Sequence, residues 1–287
     1  MPMSMSDAAT YPLRSGRPIE ITPTRGWRRL DLREVWDYRE LLLILVWRDV
    51  KVRYRQTLLG VVWVIAQPLL TALIFTLLFN RVARIGSGSA VPYSLFVMAA
   101  LVPWTFFSSG VSASSNSLIG SAHLISKVYF PRLIVPAASV LAGFIDMAVT
   151  FVLVLVMAIG YGAGIPLQMV WLPLAVISCS LFALGLGLWL SALNVEYRDI
   201  RVVIPFVLQL WMYATPIAYP MSVIPERYRW IVMLNPLTGI VEAFRVAMIG
   251  GTMPWLAFAY GTLVALVLTL TGALYFRRME RLFADVL

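Results

Sequence analysis

The sequence predicts an all-α integral membrane protein with six transmembrane helices per protomer, and three observations predict it. Of the 287 residues, 60% are hydrophobic and only 13% charged, whereas a soluble domain carries about a quarter charged residues. Apolar runs near the ~20 residues that a bilayer crossing needs recur along the chain. The basic residues, which bring the net charge to +9, flank those runs instead of forming one patch. That placement is topological, and it argues against a nucleic-acid partner.

Taken in order, residues 1–35 hold no apolar leader segment. Pro2, Pro12, Pro18 and Pro23 among scattered Arg and Ser suit a cytosolic N-terminal tail. Residues 36–57 read as an amphipathic helix in the membrane surface. In a helix Leu43, Trp47, Val50 and Tyr54 share one face, and Arg48, Lys51 and Arg55 another. Asp49 stands four residues before Arg53, the spacing of an intrahelical ion pair. Residues 58–287 hold the crossings, at about 58–79, 92–118, 133–160, 169–193, 202–218 and 255–276.

Six crossings put both termini on one side. With that side cytosolic, it receives every basic residue before Leu58, then Lys127, Arg132, Arg198, Arg201, Arg277, Arg278 and Arg281. The other side keeps only Arg81, Arg84, Arg227, Arg229 and Arg245. The positive-inside rule therefore places both ends in the cytoplasm. Residues 219–252 are too polar for a plain span and too apolar for a loop. Pro225 opens one short helix, and Asn235-Pro236 breaks it and opens a second that ends at Gly250-Gly251. Two half-length helices carrying Glu226, Arg229, Asn235, Glu242 and Arg245 read as a re-entrant pair, in preference to an external loop lying flat on the membrane.

The chemistry available is narrow. Cys179 is the lone cysteine and His123 the lone histidine, so no disulfide or Cys/His metal site is expected. Neither lysine, Lys51 or Lys127, follows the glycine pattern of a phosphate-cradling loop, so no nucleotide cofactor is expected on this chain. No nucleophile, base and orienting group converge, which disfavours an enzyme acting on lipid-linked sugars. Asp146 is the clear ionisable residue inside a span; it is read as a structural or pore-facing group ahead of a coupling carboxylate in a gradient-driven flippase.

Ser108, Ser109, Ser112, Ser114, Ser115 and Asn116 suit either close helix packing or the wall of a polar pathway. Trp63, Gln67, Trp104, Phe107, Trp211 and Tyr213 are candidates to line a pore, where aromatic faces stack on sugar rings, or to serve as packing and membrane-belt residues. The link 120–132 can form a short helix with Leu124, Val128 and Ile125 on one side, as a docking element or a plain surface helix. Glu196, Tyr197, Arg198 and Asp199 form a charged cytosolic loop.

Several tracts then occur in a telling order: Arg-Asp-Val-Lys-Val-Arg-Tyr-Arg-Gln-Thr-Leu-Leu-Gly at 48–60, Gln-Pro-Leu-Leu at 67–70, Val-Pro-Trp-Thr-Phe-Phe at 102–107, Leu-Ile-Ser-Lys-Val-Tyr-Phe-Pro-Arg at 124–132, Leu-Asn-Val-Glu-Tyr-Arg-Asp at 193–199 and Leu-Asn-Pro-Leu at 234–237. Together they closely resemble the membrane (permease) subunit of polysaccharide ABC exporters, which export O-antigen, capsule or teichoic acid. The resemblance runs from about Trp36 to Met279. It implies a homodimer joined by two cytosolic nucleotide-binding subunits, which bind the ATP and Mg, in the bacterial inner membrane. It makes 36–57 an interface helix and places a coupling helix at 120–132, with His123, Ser126, Lys127, Tyr129 and Arg132 against the ATPase. It makes 225–249 a pair of external gate helices. The expected cargo is a polysaccharide linked to undecaprenyl diphosphate, most simply O-antigen, with Arg48, Lys51, Arg53 and Arg55 near the entering diphosphate.

Overall fold

The computed structural model describes residues 32–55, 60–88, 91–128, 130–197 and 199–280, and among these it contains helices and connections but no strand. Helices α1 (Leu32–Asp37) and α2 (Arg39–Arg55) precede α3 (Gly60–Phe75), which runs on as a π-helical stretch over Thr76–Val82. Next come α4 (Tyr93–Gly120), α5 (Ala122–Lys127), α6 (Ile134–Ala142) and α7 (Phe144–Gly160). A 3-10 turn at Leu167–Trp171 leads into α8 (Leu172–Glu196), followed by α9 (Ile200–Ala214), α10 (Glu226–Met233), α11 (Pro236–Ile249) and α12 (Trp255–Met279). Tyr129 and Arg198, and the side chains of Arg55 and Ser126, lie outside the described residues.

Among the described residues, five helical stretches are long and apolar enough to cross a membrane: Val62–Val82, Tyr93–Gly120, Ile134–Gly160, Leu167–Glu196 and Trp255–Met279. They fall where five of the six crossings are expected. The remaining one, 202–218, departs from expectation. α9 has 15 residues and extends about 22 Å at 1.5 Å per residue, against a hydrocarbon core of about 30 Å. Pro216 explains the early stop, because the residue before a proline is driven out of the helical region. Thr215 accordingly has φ −96°, ψ 138°. α10 and α11 together carry enough apolar length for a sixth crossing, but their axes bend by 98°. The third crossing is interrupted at Gly143, where a Cβ would lie 3.4 Å from the Phe106 ring and 3.1 Å from the Val140 carbonyl.

α4 is the central helix, sequestered along most of its length by α8, α6, α11, α7 and α3. Around its middle and first half, Phe106, Phe107, Phe182 and Phe244 anchor one core. At its C-terminal end Leu45, Leu118, Ile125, Phe130, Ile134 and Phe276 form a second. That second core binds α2 and α5 to the ends of α4, α8 and α12, so the surface helices belong to the packed body. We call this the α2 end of the bundle, and the opposite one the α11 end.

Between apolar helices in lipid there is little hydrophobic drive, so close backbone approach at small residues supplies the attraction. A Cβ on Gly185 would sit 2.6 Å from the Thr269 amide of α12, and one on Gly187 2.4 Å from the Ser114 hydroxyl of α4. The tightest approach is Gly239 of α11, whose added Cβ would meet the Ala257 carbonyl of α12 at 2.1 Å. Backbone cannot swing aside as a side chain does. Gly239→Ala is therefore expected to lose about 1–3 kcal/mol, read as a lower unfolding temperature in detergent. Gly120→Ala, whose Cβ meets nothing within 4 Å, is expected to be neutral or slightly stabilising.

Candidate functional site

Three places gather the polar side chains. At the α2 end, α2 lies along α6 and turns Leu45, Val50, Asp49, Arg53 and Tyr54 toward the body. Leu43 and Trp47, expected beside Val50 and Tyr54, are instead 66% exposed on the outer face with Lys51. The inward face combines apolar side chains, Leu41, Leu42 and Leu45 against the second core, with a polar contact to α7. Asp146, in the first turn of α7, receives a hydrogen bond and ion pair from Arg53 and a hydrogen bond from the Tyr54 hydroxyl. The negative charge is also well placed at a helix N-terminus. The polar contacts and the apolar packing of Leu45 thus hold the same face of α2 against the body.

The expected Asp49–Arg53 pair does not form. Asp49 pairs with Arg48 at 2.8 Å and accepts from the Ser139 hydroxyl of α6 at 3.1 Å, while Arg48 reaches Ser121 at 3.3 Å. Of the four cations expected near a diphosphate, Arg48 and Arg53 thus already face carboxylates, and Lys51 stands exposed. Arg48, Arg53, Ser117, Ser121 and Ser139 line a cavity of about 500 Å³ between α2, α4 and α6 (≈ 490 Å³). The Tyr54 phenol is pushed up to about 12, first by burial and then by its bond to Asp146, with Arg53 opposing. A raised phenol stabilises the fold fully below its ordinary value near 10, and that contribution fades as pH climbs from 10 through 12. Tyr54 is therefore a donor to Asp146 across the physiological range.

Beside this clamp, α5 seats Ile125 in the second core, with Leu124 half-buried, and exposes His123, Lys127 and Val128. Val128 was expected on the same side as Leu124; the chain leaves the helix at that residue, with φ −130° and ψ 133°, and turns it outward. Arg132 faces inward to α12, where its Nη1 donates to the Glu280 carbonyl at 2.6 Å and its backbone amide approaches Glu280 Oε1 at 3.4 Å. A cation at a helix C-terminus is stabilising there. Glu196, Tyr197 and Asp199 are exposed at the same end, beyond the stack of Trp189 on Tyr275 at 4.3 Å.

The second place is α4. Ser114 and Ser115 are buried, Ser114 against Gly187 of α8 and Ser115 through its carbonyl to Asn194 Nδ2 at 2.8 Å. Ser108, Ser109, Ser112 and Asn116 keep partial exposure on another face, together with Thr105. The small polar residues therefore divide between packing and an open polar stripe. The aromatic candidates divide as well. Trp104 and Phe107 are buried, Phe107 stacking on Phe182 at 5.2 Å and meeting the Trp211 edge at 5.5 Å. Both are core residues, Phe107 beneath α8 and α9 and Trp104 against Phe107 at 5.9 Å. Trp63, Gln67 and Tyr213 are exposed on α3 and α9, and Trp211 is half-buried.

The third place is the α11 end. Asn235 caps α11 by accepting from the Leu237 amide at 3.1 Å. It also accepts from Trp211 Nε1 at 3.0 Å and donates to the Thr215 hydroxyl at 2.9 Å. One side chain thereby fixes the corner between α10 and α11 to α9. Glu226 and Arg229 form a loose pair at 3.5 Å on the outer side of α10. Arg245, expected as a gate charge, is only 3% exposed. It pairs with Glu242, donates to the Pro216 and Ile217 carbonyls at 2.6 and 3.2 Å, and lies 3.8 Å from the Phe96 ring. Tyr93 holds the neighbouring Ala218 carbonyl. This network pins the bend after α9.

Residues 40–249, from α2 to α11, match the ABC-2 type transporter family. The chain belongs to this family. Among its relatives, the O-antigen export system permease protein RfbA of Klebsiella pneumoniae is 32% identical over 250 residues, 86% of this chain and 95% of the relative. RfbA of Myxococcus xanthus is 32% identical over 217 residues, 75% and 82% of the two chains. The polysialic acid transport protein KpsM of Escherichia coli is 24% identical over 244 residues, covering 81% and 91%. With its apolar helices, this ABC-2 chain is a multi-pass inner-membrane protein. ABC-2 permeases work with ATPase subunits, which gives the exposed face of α5 its interest.

Proposed function

We propose that the chain is the permease subunit of an ABC exporter for a polysaccharide linked to undecaprenyl diphosphate, most simply O-antigen. The observation that carries this is the 32% identity to O-antigen permeases across 95% of a relative's length, in a chain whose lysines fit no phosphate loop. In this reading the α2 end is cytosolic, in keeping with the basic-residue bias. Residues 1–35 are a cytosolic tail, 36–57 an interface helix and 58–287 the permease domain. Two copies assemble with two ATPase subunits, and the glycan threads between the copies. The exposed apolar faces of α3 and α9, including Trp63 and Tyr213, and the open polar stripe of α4 support that placement of the path.

The α2-end cavity supports an entry role for the lipid headgroup. Serine hydroxyls and guanidinium groups together hydrogen-bond phosphate well; Arg48 is the more accessible of the two cations in the lining, and Lys51 stands exposed on the outer face of the same helix. On the ATPase side, His123 and Lys127 project from a short helix seated by Ile125, so motion of a docked subunit would pass into α4, α6 and, through Arg132, α12. Asn235, Glu242 and Arg245 hold the corner of the external pair α10 and α11. A capsule polysaccharide is the second reading for the cargo, favoured by the KpsM relative at 24% identity.

The test is association. The chain purified with its ATPase partner is expected to lose about tenfold or more in affinity when His123 and Lys127 are both changed to glutamate, since like-charge contacts at an interface cost several kcal/mol. Unchanged association with a correctly folded variant would remove α5 as the contact.

A further inference from the structure

The α11 end contains a cavity of about 500 Å³ that the export reading leaves unused. Its walls come from α10, α11 and the segments that precede α4, α10 and α12. The size lies within the ~300–1,000 Å³ range of small-molecule sites.

The lining joins hydrogen-bonding groups to an apolar wall. Glu242 is held by Arg245 through Oε1 alone, and Arg245 is itself locked by two carbonyls and the Phe96 ring. The carboxylate is thereby fixed in direction, and Oε2 makes no hydrogen bond among the described residues. It is a preorganised acceptor in the cavity wall. Arg229, fastened to the Ile224 carbonyl through Nε at 3.1 Å, is a donor at the rim, and Ser222 and Thr252 add exposed hydroxyls. Met233, Val246, Ile249 and Pro254 supply apolar wall between them. Of the two guanidiniums in the lining, Arg245 is paired with Glu242, and Arg229 keeps only a loose contact with the exposed Glu226 at 3.5 Å, so Arg229 is left to donate to a ligand. A vicinal diol matches this arrangement: one hydroxyl donates to a carboxylate, its neighbour accepts from a guanidinium, and the C–H face packs on the apolar wall.

We propose that this cavity is a saccharide-binding site that engages one ring of the glycan at the α11 end. The inference rests on the export reading for the identity of the glycan and on the cavity for its chemistry. The site lies away from the α2-end cavity, so it gives the glycan a second point of attachment during passage.

The test uses the full chain with its ATPase in lipid nanodiscs and saturation-transfer NMR with the methyl glycosides of mannose, galactose and rhamnose. Transfer to ring protons of at least one glycoside is expected. Glu242→Gln is expected to weaken it about tenfold or more, as the loss of a hydrogen bond to a charged group does. Ser222→Trp, which fills the mouth from an exposed position without touching the Glu242–Arg245 pair, is expected to abolish it and to slow glycan export. No transfer with any glycoside, equal transfer in Ser222→Trp, or unchanged export by that variant would each overturn the proposal. Failure of the export reading is separate, because there the unaltered transporter moves no glycan.

Discussion

Replacing Glu242 by leucine is expected to destabilise the protein by about 3–5 kcal/mol, the cost of leaving a buried charge without its partner. Arg245 is 3% exposed and cannot turn to solvent without giving up the Pro216 and Ile217 carbonyls that it holds. Its remaining neighbours, those carbonyls and the Phe96 ring, offer dipoles and a quadrupole but no counter-charge. The double variant Glu242→Leu, Arg245→Met removes both charges and is expected to recover a large part of the loss, because an apolar pair of similar volume often replaces a buried ion pair at little cost. The comparison is a double-mutant cycle read by thermal unfolding in detergent. A loss in the double variant equal to the sum of the losses in Glu242→Leu and Arg245→Met alone would show that the pair is not coupled.

The second large effect is expected at Asp146. Asp146→Ala strips Arg53 and Tyr54 of their common acceptor, and an unsatisfied partly buried donor costs about 1–3 kcal/mol. The stability change is the smaller part of the consequence. Asp146 joins α2 to the first turn of α7, directly after the break at Gly143, so its loss frees the surface helix from the third crossing. Under the export reading, ATPase turnover then continues while glycan movement falls at least tenfold. Asp146→Asn is the informative companion, since the amide keeps an acceptor for Tyr54 but no charge for Arg53. A gradient-coupling role for Asp146 predicts the opposite pattern, with Asn as damaging as Ala and transport insensitive to ATP.

The sequence made the long spans legible because hydropathy is a property of each segment alone. Val62–Val82, Tyr93–Gly120, Ile134–Gly160, Leu167–Glu196 and Trp255–Met279 needed no knowledge of neighbours. The break at Asn235-Pro236 was readable for the same reason, being written in local backbone chemistry. The sites were less legible because they depend on who meets whom. Asp146 finds Arg53 across 93 positions, and nothing in a one-dimensional pattern joins them. Which side of α2 meets the body was not legible, because apolar residues lie on more than one side: Leu45 is buried with Asp49, Arg53 and Tyr54 partly buried, while Leu43 and Trp47 are exposed. Trp104 and Phe107 share the composition of pore residues, and only their burial, with Phe182 and Trp211 against Phe107 and Phe107 against Trp104, makes them core. Gly239 announced small size, not the carbonyl that demands it.

The most direct test of the whole account is movement of a fluorescent undecaprenyl-diphosphate-linked glycan in proteoliposomes holding this chain with or without its ATPase partner. The account predicts movement only when the ATPase and Mg-ATP are both present, and its loss when the contact at His123 and Lys127 is reversed in charge. Glycan movement by this chain alone, undiminished without nucleotide, would contradict it.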